Sequence, residues 1–510
     1  MEAYALGELV ARAEAVQPGL GVLVGELAGL AGELTGEGFA AASFDEIERQ
    51  VTGRGRELLR MVAQHVLDCQ AAAEPRLAGV ADAQGAARPW AERGHARTVV
   101  SGAGPVVIRR MAYRAAGQRN LYPRDAVLNL PVRRYSWAVQ AQAVGFAVES
   151  SFEQAGDWLA ASTGTRVGKR QMEQITAGAA RDAGAFCAAR APAPPAPGLP
   201  LVISVDGKGV AMRPEGRRAT RYQHVPGAFE KRLSTGEKRG AKRMAEVGVV
   251  FDAMPPSDPR TPELIMGQGS GPDGAPAGQV RAAGRWYVTD ITAGRAVTIA
   301  RVFDEAARRD PCHERAWVAL ADGDRHQIAA IEKEAAQRGI TITVLVDFIH
   351  VLEYLWKVGW AFHEPRDPAL ESWVTARALD ILHGRTDQVI ALIEALTAQH
   401  PPRPGSEHAK LIKKTLTYLA NKQPYLDYPT ALARGWPIAT GVIEGACRHL
   451  IADRMGITGA RWGLPGAEAV LRLRAIKANG DFDAYWTYHA EQEHQRNHLS
   501  RYQAGLTLAA

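Results

Sequence analysis

Apolar residues recur at helical spacing through the first part of the chain, where Leu6, Leu9, Val10 and Ala13 make one stripe and Ile47, Val51, Leu58 and Leu59 make a later one. Spacings of three and four put such residues on one face of a helix, so an α-helical arm is predicted from Met1 to about Glu92. The pattern then shortens. RTVVS at 97–101 and VVIRR at 106–110 flank the turn segment GAGP, which predicts a β-hairpin. Ser151, with Gln154 three residues on, marks a helix start, and Ala155, Trp158 and Leu159 form its apolar stripe. The TGT at 163–165 ends that helix, and Val167, Met172 and Ile175 fit a second one from about Gly168. A helix, a Gly-containing turn and a helix over 151–180 is the layout of a DNA-reading helix-turn-helix, with Lys169, Arg170 and Gln171 at the start of the second helix; an ordinary helical hairpin has the same pattern.

The segment APAPPAPG at 191–198 is an extended linker by composition, and the pattern changes character after it. LPLVISVD (199–206) is a continuous apolar run ending in an acid, the signature of a buried strand. EVGVVFD (246–252), RWYVTDI (285–291), WVALAD (317–322) and ITITVLVD (340–347) are four further strands, with helices predicted over 296–309, 325–338 and from His350. From Pro365 to about Tyr428 only helical patterns occur. The order β-β-β-α-β-α-β-α is that of a ribonuclease-H-like α/β domain, a mixed sheet with helices on its faces.

Composition adds limits. With 46% hydrophobic and 23% charged residues the chain is ordinary globular material. No apolar run approaches the eighteen or so residues of a membrane span, and the start lacks the layout of a secretory signal, so a soluble cytoplasmic protein is expected. Cys69, Cys187, Cys312 and Cys447 form no CxxC pair, which argues against a disulfide framework or a cysteine zinc site. The 61 Lys and Arg exceed the 55 Asp and Glu by six, yet the segment from Arg213 to Arg243 alone holds ten basic and three acidic residues. That local +7, which includes Arg217, Arg218, Lys242 and Arg243, is suited to a polyanion; a solvated loop is the alternative.

Candidate chemistry sits at the predicted strand ends. Asp206 ends the first strand and Asp322 the fourth, while Glu444 begins a helix in GVIEGAC (441–447). In a mixed sheet of this order the first and fourth strands are neighbours, which brings the two Asp together. Carboxylates of this kind suit two Mg²⁺ ions, with Mn²⁺ as substitute, acting in an in-line phosphoryl displacement. Asp347 also ends a strand and is a rival second acid; Asp324 reads as a helix N-cap. Downstream, Arg448, Arg454 and Arg461 are expected to meet phosphate, and Trp462 either stacks on an unpaired base or packs in the core.

These residues resemble the DDE transposases of bacterial insertion sequences, of the ISKra type with a Mutator-like catalytic core. The resemblance spans about 97–502 and is carried by VISVDGKGV (202–210), LADGDRHQI (320–328), VDFIHVLEYLW (346–356), GVIEGACRH (441–449) and RMGITGARW (454–462). It implies Asp206, Asp322 and Glu444 as catalytic, metal-holding acids, with Asp347 and His350 as an accessory Asp-x-x-His motif. It implies an N-terminal helical arm (1–95), a mostly α DNA-binding region with hairpin and helix-turn-helix (96–190), a core (199–364), an all-α insertion (365–430) and C-terminal core helices with a tail (431–510). The expected partners are double-stranded DNA, as terminal inverted repeats and target, and further copies of the chain as a homodimer or larger assembly near the bacterial nucleoid, with no membrane. The alternatives are a ribonuclease-H-like nuclease or resolvase, and a non-catalytic DNA-binding descendant of a transposase.

Overall fold

The computed structural model describes residues 3–194, 196–217, 241–256, 260–267, 280–364 and 366–503. Most of the basic segment, Arg218 included, lies outside the described residues. The chain divides into two compact units, one formed by Met1–Phe186 with Asp483–Ala510 and the other by Cys187–Phe482. The stretch 431–510, grouped as one piece from sequence, is therefore split after Phe482.

In the first unit the arm is three helices, Ala3–Val16, Leu20–Thr35 and Phe44–Ala72. The third opens on a reciprocal cap: the Glu46 N–H donates to Ser43 Oγ (3.3 Å) and the Ser43 N–H donates to Glu46 Oε2 (2.8 Å). None of its residues is buried. β1 (Trp90–Ser101) and β2 (Gly104–Arg114) form the predicted hairpin, longer than expected and with a register shift between Glu92 and His95. The helix pair at 151–180 is present as Phe152–Thr163 and Lys169–Ala179. Ser151 Oγ accepts from the Gln154 N–H at 3.1 Å, and Gly164 closes the first helix at φ 71°. Ala155, Leu159, Met172 and Ile175 are buried, whereas Lys169 and Arg170 are exposed. The helix Phe482–Asn497 belongs here from Asp483 onward, with the Tyr485 hydroxyl donating to the Ala179 carbonyl.

The second unit is mixed α/β. Its sheet contains β3 (Leu201–Ala211), β4 (Lys242–Met254), β5 (Arg281–Asp290), β6 (Trp317–Ala321) and β7 (Ile342–Val346), in the order β5-β4-β3-β6-β7. β3 pairs antiparallel with β4 and parallel with β6; β4 and β5 are antiparallel, β6 and β7 parallel. The first five residues of β3 and all of β6 are buried, as expected for central strands covered on both faces, which explains their unbroken apolar runs. Helices Arg295–Arg309, Arg325–Arg338 and Phe348–Gly359 follow β5, β6 and β7. Three more, Pro368–Leu382, Thr386–Gln399 and Glu407–Lys422, precede the helix Gly441–Ala446.

One detail positions the site. β3 does not end at Asp206, as the sequence pattern suggested; it stays paired with β4 as far as Ala211↔Lys242, while its pairing with β6 stops at Ser204↔Leu320. Asp206 stands where β3 and β6 part. An antiparallel neighbour supports the strand past the point at which the parallel one turns away, and a crevice opens at the carboxyl ends of the parallel strands.

Candidate functional site

Asp206 lies two residues past the last β3–β6 pair, and Asp322 lies two residues past it on β6. Neighbouring strands run about 5 Å apart, so the two acids stand side by side at one sheet edge. Asp347 follows the last β6–β7 pair, Ala321↔Val346, and its N–H donates to the Ala321 carbonyl at 2.8 Å. Three adjacent parallel strands thus each deliver an aspartate to the same edge.

Asp347 is fully buried and heavily engaged. Its Oδ1 caps the helix Phe348–Gly359 by accepting from the Ile349 N–H at 2.7 Å. Its Oδ2 accepts from the Thr440 N–H at 3.2 Å and from the Thr440 hydroxyl, and lies 3.5 Å from His350 Nδ1. Burial pushes this carboxyl up, but the contacts from His350, Thr440 and Ile349 outweigh it and hold it below the ordinary carboxylate range. His350 is held above its ordinary value, first by Asp347 against the opposing effect of burial, with the charges of Asp322 and Glu353 adding to it. Thr440 Oγ1 lies 3.4 Å from Glu444 Oε1, so one threonine joins the β7 end to the exposed third acid.

Ligand atoms of Asp347, His350 and Glu444 lie within 4.8 Å of one another, and this group could hold a metal ion. The accessory pair read from sequence is thus gathered with Glu444, whereas Asp206 and Asp322 occupy the neighbouring strand ends outside that cluster. A second group, Asp182, His489 and Glu493 in the first unit, meets the same condition. There Arg496 pairs with both carboxylates, and Arg181 with Glu493 at 3.1 Å, so cations already neutralise it.

Residues that sequence reasoning passed over complete the edge. Helix Gly441–Ala446 continues into a π turn, Cys447–Ala452, and buried Cys447 places Sγ 3.5 Å from Asp206 Oδ2. Burial, then the Asp206 charge, pushes this thiol far up, so it stays protonated and donates to the carboxylate. Buried Glu246, paired in register with Gly207, accepts from Arg295 Nε at 3.3 Å, and Arg295 also donates to Asp324 Oδ2 at 2.8 Å. A glutamate at the head of the apolar run VGVVF (247–251) was the signal available for Glu246. Asp324 is the expected N-cap, accepting from the His326 N–H at 2.8 Å.

The expected DNA-facing residues divide. Lys169, Arg170, Arg217, Lys242, Arg448 and Arg461 are exposed. Arg243 is half-buried and donates to the carbonyls of Ile291 (2.7 Å) and Thr292 (3.1 Å), which occupies its guanidinium with structure. Arg454 and Trp462 correct the sequence reading. Both are buried, with the guanidinium 4.8 Å from the indole centroid and the Trp462 N–H donating to the Met455 carbonyl at 3.0 Å. Trp462 is core, and neither residue offers a surface to a base or a phosphate.

Among the described residues, no helix is long and apolar enough to cross a membrane. No protein-family model matches the chain, and no curated protein matches it.

Proposed function

We propose that this chain is a DDE-type DNA transposase on a ribonuclease-H-like core, with 365–430 as an all-α insertion between the second and third acids. The observation that carries the reading is the gathering of acids at one sheet edge: Asp206, Asp322 and Asp347 from β3, β6 and β7, with Glu444 brought in through Thr440. The gathered Asp347, His350 and Glu444 fit one hard divalent cation such as Mg²⁺ or Mn²⁺, and the carboxylates of Asp206 and Asp322 on the adjoining strand ends are the same kind of donor. Asp206, Asp322 and Glu444 would hold two such ions, which when bound activate an attacking oxygen and neutralise a leaving one. The chain's own part is positional. Asp347 and Thr440 fix the helix carrying Glu444, Cys447 orients Asp206, and Arg295 ties Glu246 to the Asp324 cap that follows Asp322.

In this reading water cuts a phosphodiester at each element end, and the freed 3′ hydroxyl then attacks target DNA at the same edge. Lys169 and Arg170, at an exposed helix start, serve base and backbone contacts at the terminal repeats. Holding two ends requires a homodimer or larger assembly on DNA.

A strand-transfer assay with Mg²⁺ and a duplex carrying the repeats that flank the gene tests the proposal. Cleavage and joining are expected. Asp206→Asn, Asp322→Asn and Glu444→Gln should each fall to about one-thousandth of wild type or less, the consequence of losing several kcal/mol of charge stabilisation. Cleavage without joining would reduce the reading to a nuclease, and full activity in all three variants would overturn it.

A further inference from the structure

Beside Asp322 lies a pocket of about 520 Å³ between the helices Arg325–Arg338 and Glu407–Lys422. Gly323, Arg325, Glu332, Tyr418, Lys422 and Tyr425 are among its walls. Two of these carry donors without a partner. Lys422 is 8% exposed, and its ammonium makes neither an ion pair nor a hydrogen bond with any described residue. Of the two, the Tyr418 Oη atom is itself buried and unpartnered. Buried polar groups are rarely left unmatched, so the Tyr418 hydroxyl lacks an acceptor here, while the Lys422 ammonium, at the end of a largely buried stem on the same wall, has no partner among the described residues.

The pocket is built rather than accidental. The Tyr418 ring stacks on Tyr354 at a 3.8 Å centroid distance and 10° between planes, which fixes its hydroxyl against Gly323. A Cβ at position 323 would lie 2.9 Å from that hydroxyl, and Gly323 sits at φ 91°, so glycine there serves both the turn and the close approach. Tyr425 donates to Glu332 Oε1 at 2.9 Å, which gives that carboxylate a partner at the wall. Arg325 is exposed at the first turn of its 14-residue helix, where the helix end is electropositive. An ammonium and a guanidinium repel a cation and, with a hydroxyl donor beside them, suit an anion with several acceptor oxygens. Burial lowers the Lys422 pKa while the nearby charges of Asp324 and Asp322 oppose that effect.

We infer that this pocket binds a backbone phosphate of the DNA strand processed at the acidic edge, one that is not itself cut, with Lys422 and Arg325 supplying charge and Tyr418 a hydrogen bond. The inference rests on the nucleic-acid reading of the neighbouring acids. Its location follows from the chain: Asp322, Gly323 and Arg325 lie within four consecutive residues, so a strand held at Asp322 passes this opening.

Fluorescence anisotropy on the full chain, with a repeat-end duplex and Ca²⁺ in place of Mg²⁺, tests it. Lys422→Gln and the exposed Arg325→Gln should each reduce the salt slope by about 0.9, so that between about 50 and about 200 mM salt wild type loses roughly 3.5-fold more affinity than either variant. Arg325→Gln lies on the surface and guards against misfolding of the buried variant. A duplex series with single neutral methylphosphonates locates the contact: one position near the cut should weaken wild type and leave Lys422→Gln unaffected. Unchanged slopes in both variants, with wild type binding DNA normally, would overturn the pocket assignment alone. Failure of wild type to bind any duplex would remove the nucleic-acid reading and the pocket with it.

Discussion

Asp347 shows what burial does to a single carboxylate. Its oxygens satisfy the Ile349 and Thr440 N–H groups and face His350, so Asp347→Asn turns an acceptor toward donors and leaves part of that set unmatched. The expected cost is about 1–3 kcal/mol, readable as a lower urea midpoint with the m value unchanged. Because its folded pKa is depressed, the stabilisation is present above the unfolded value near 3.9 and is lost as pH falls through the folded pKa. The wild-type midpoint should therefore decline below about pH 4, and less steeply in Asp347→Asn. Asp347 was visible in the sequence as an acid ending an apolar run. Its engagement was not, because Thr440 comes from a segment 93 residues away.

Elements were the most legible scale. The helix Arg325–Arg338 has the predicted bounds, since an Asp cap opens it and Gly339, at φ 66°, closes it. Strand lengths were less so. β4 runs from Lys242 to Met254 against a predicted 246–252, because ladder partners on β3 and β5 extend a strand through residues whose own pattern is weak. The packing of Arg295–Arg309 on this strand has a specific test. A Cβ at Gly248 would come 2.3 Å from Val302 Cγ2, inside contact distance, and both Val302 and the strand are buried. Gly248→Ala should push the helix off the sheet at a cost of about 1–3 kcal/mol, measured by chemical denaturation, and Val302→Ala in the same chain should recover part of it. A destabilisation that Val302→Ala leaves unchanged would mean that the close approach is not its source.

At the scale of the whole chain, the return of the C-terminal segment to the first unit has a pH signature. His498 is buried with Nε2 2.7 Å from the Leu130 carbonyl, and burial lowers its pKa below the ordinary value. The unfolded chain therefore binds a proton that the folded one refuses. Stability should fall as pH drops through the unfolded value near 6.5, and level off below the folded pKa. The thermal transition of the first unit should move down between about pH 7 and about pH 5, and His498→Gln should flatten that dependence. By itself the sequence determined the order of helices and strands, the buried character of β3 and β6, and the acids that follow apolar runs. Those features depend on local periodicity and on residues adjacent in the chain. Tertiary structure alone decided that Asp347 and His350 meet Glu444, that Trp462 and Arg454 are core, that the Lys422 stem is covered, and that the last helix joins the first unit. The meeting of Glu444 with Asp347 and the docking of the last helix join segments far apart in sequence, and single-chain periodicity carries no information about which distant faces will be brought together.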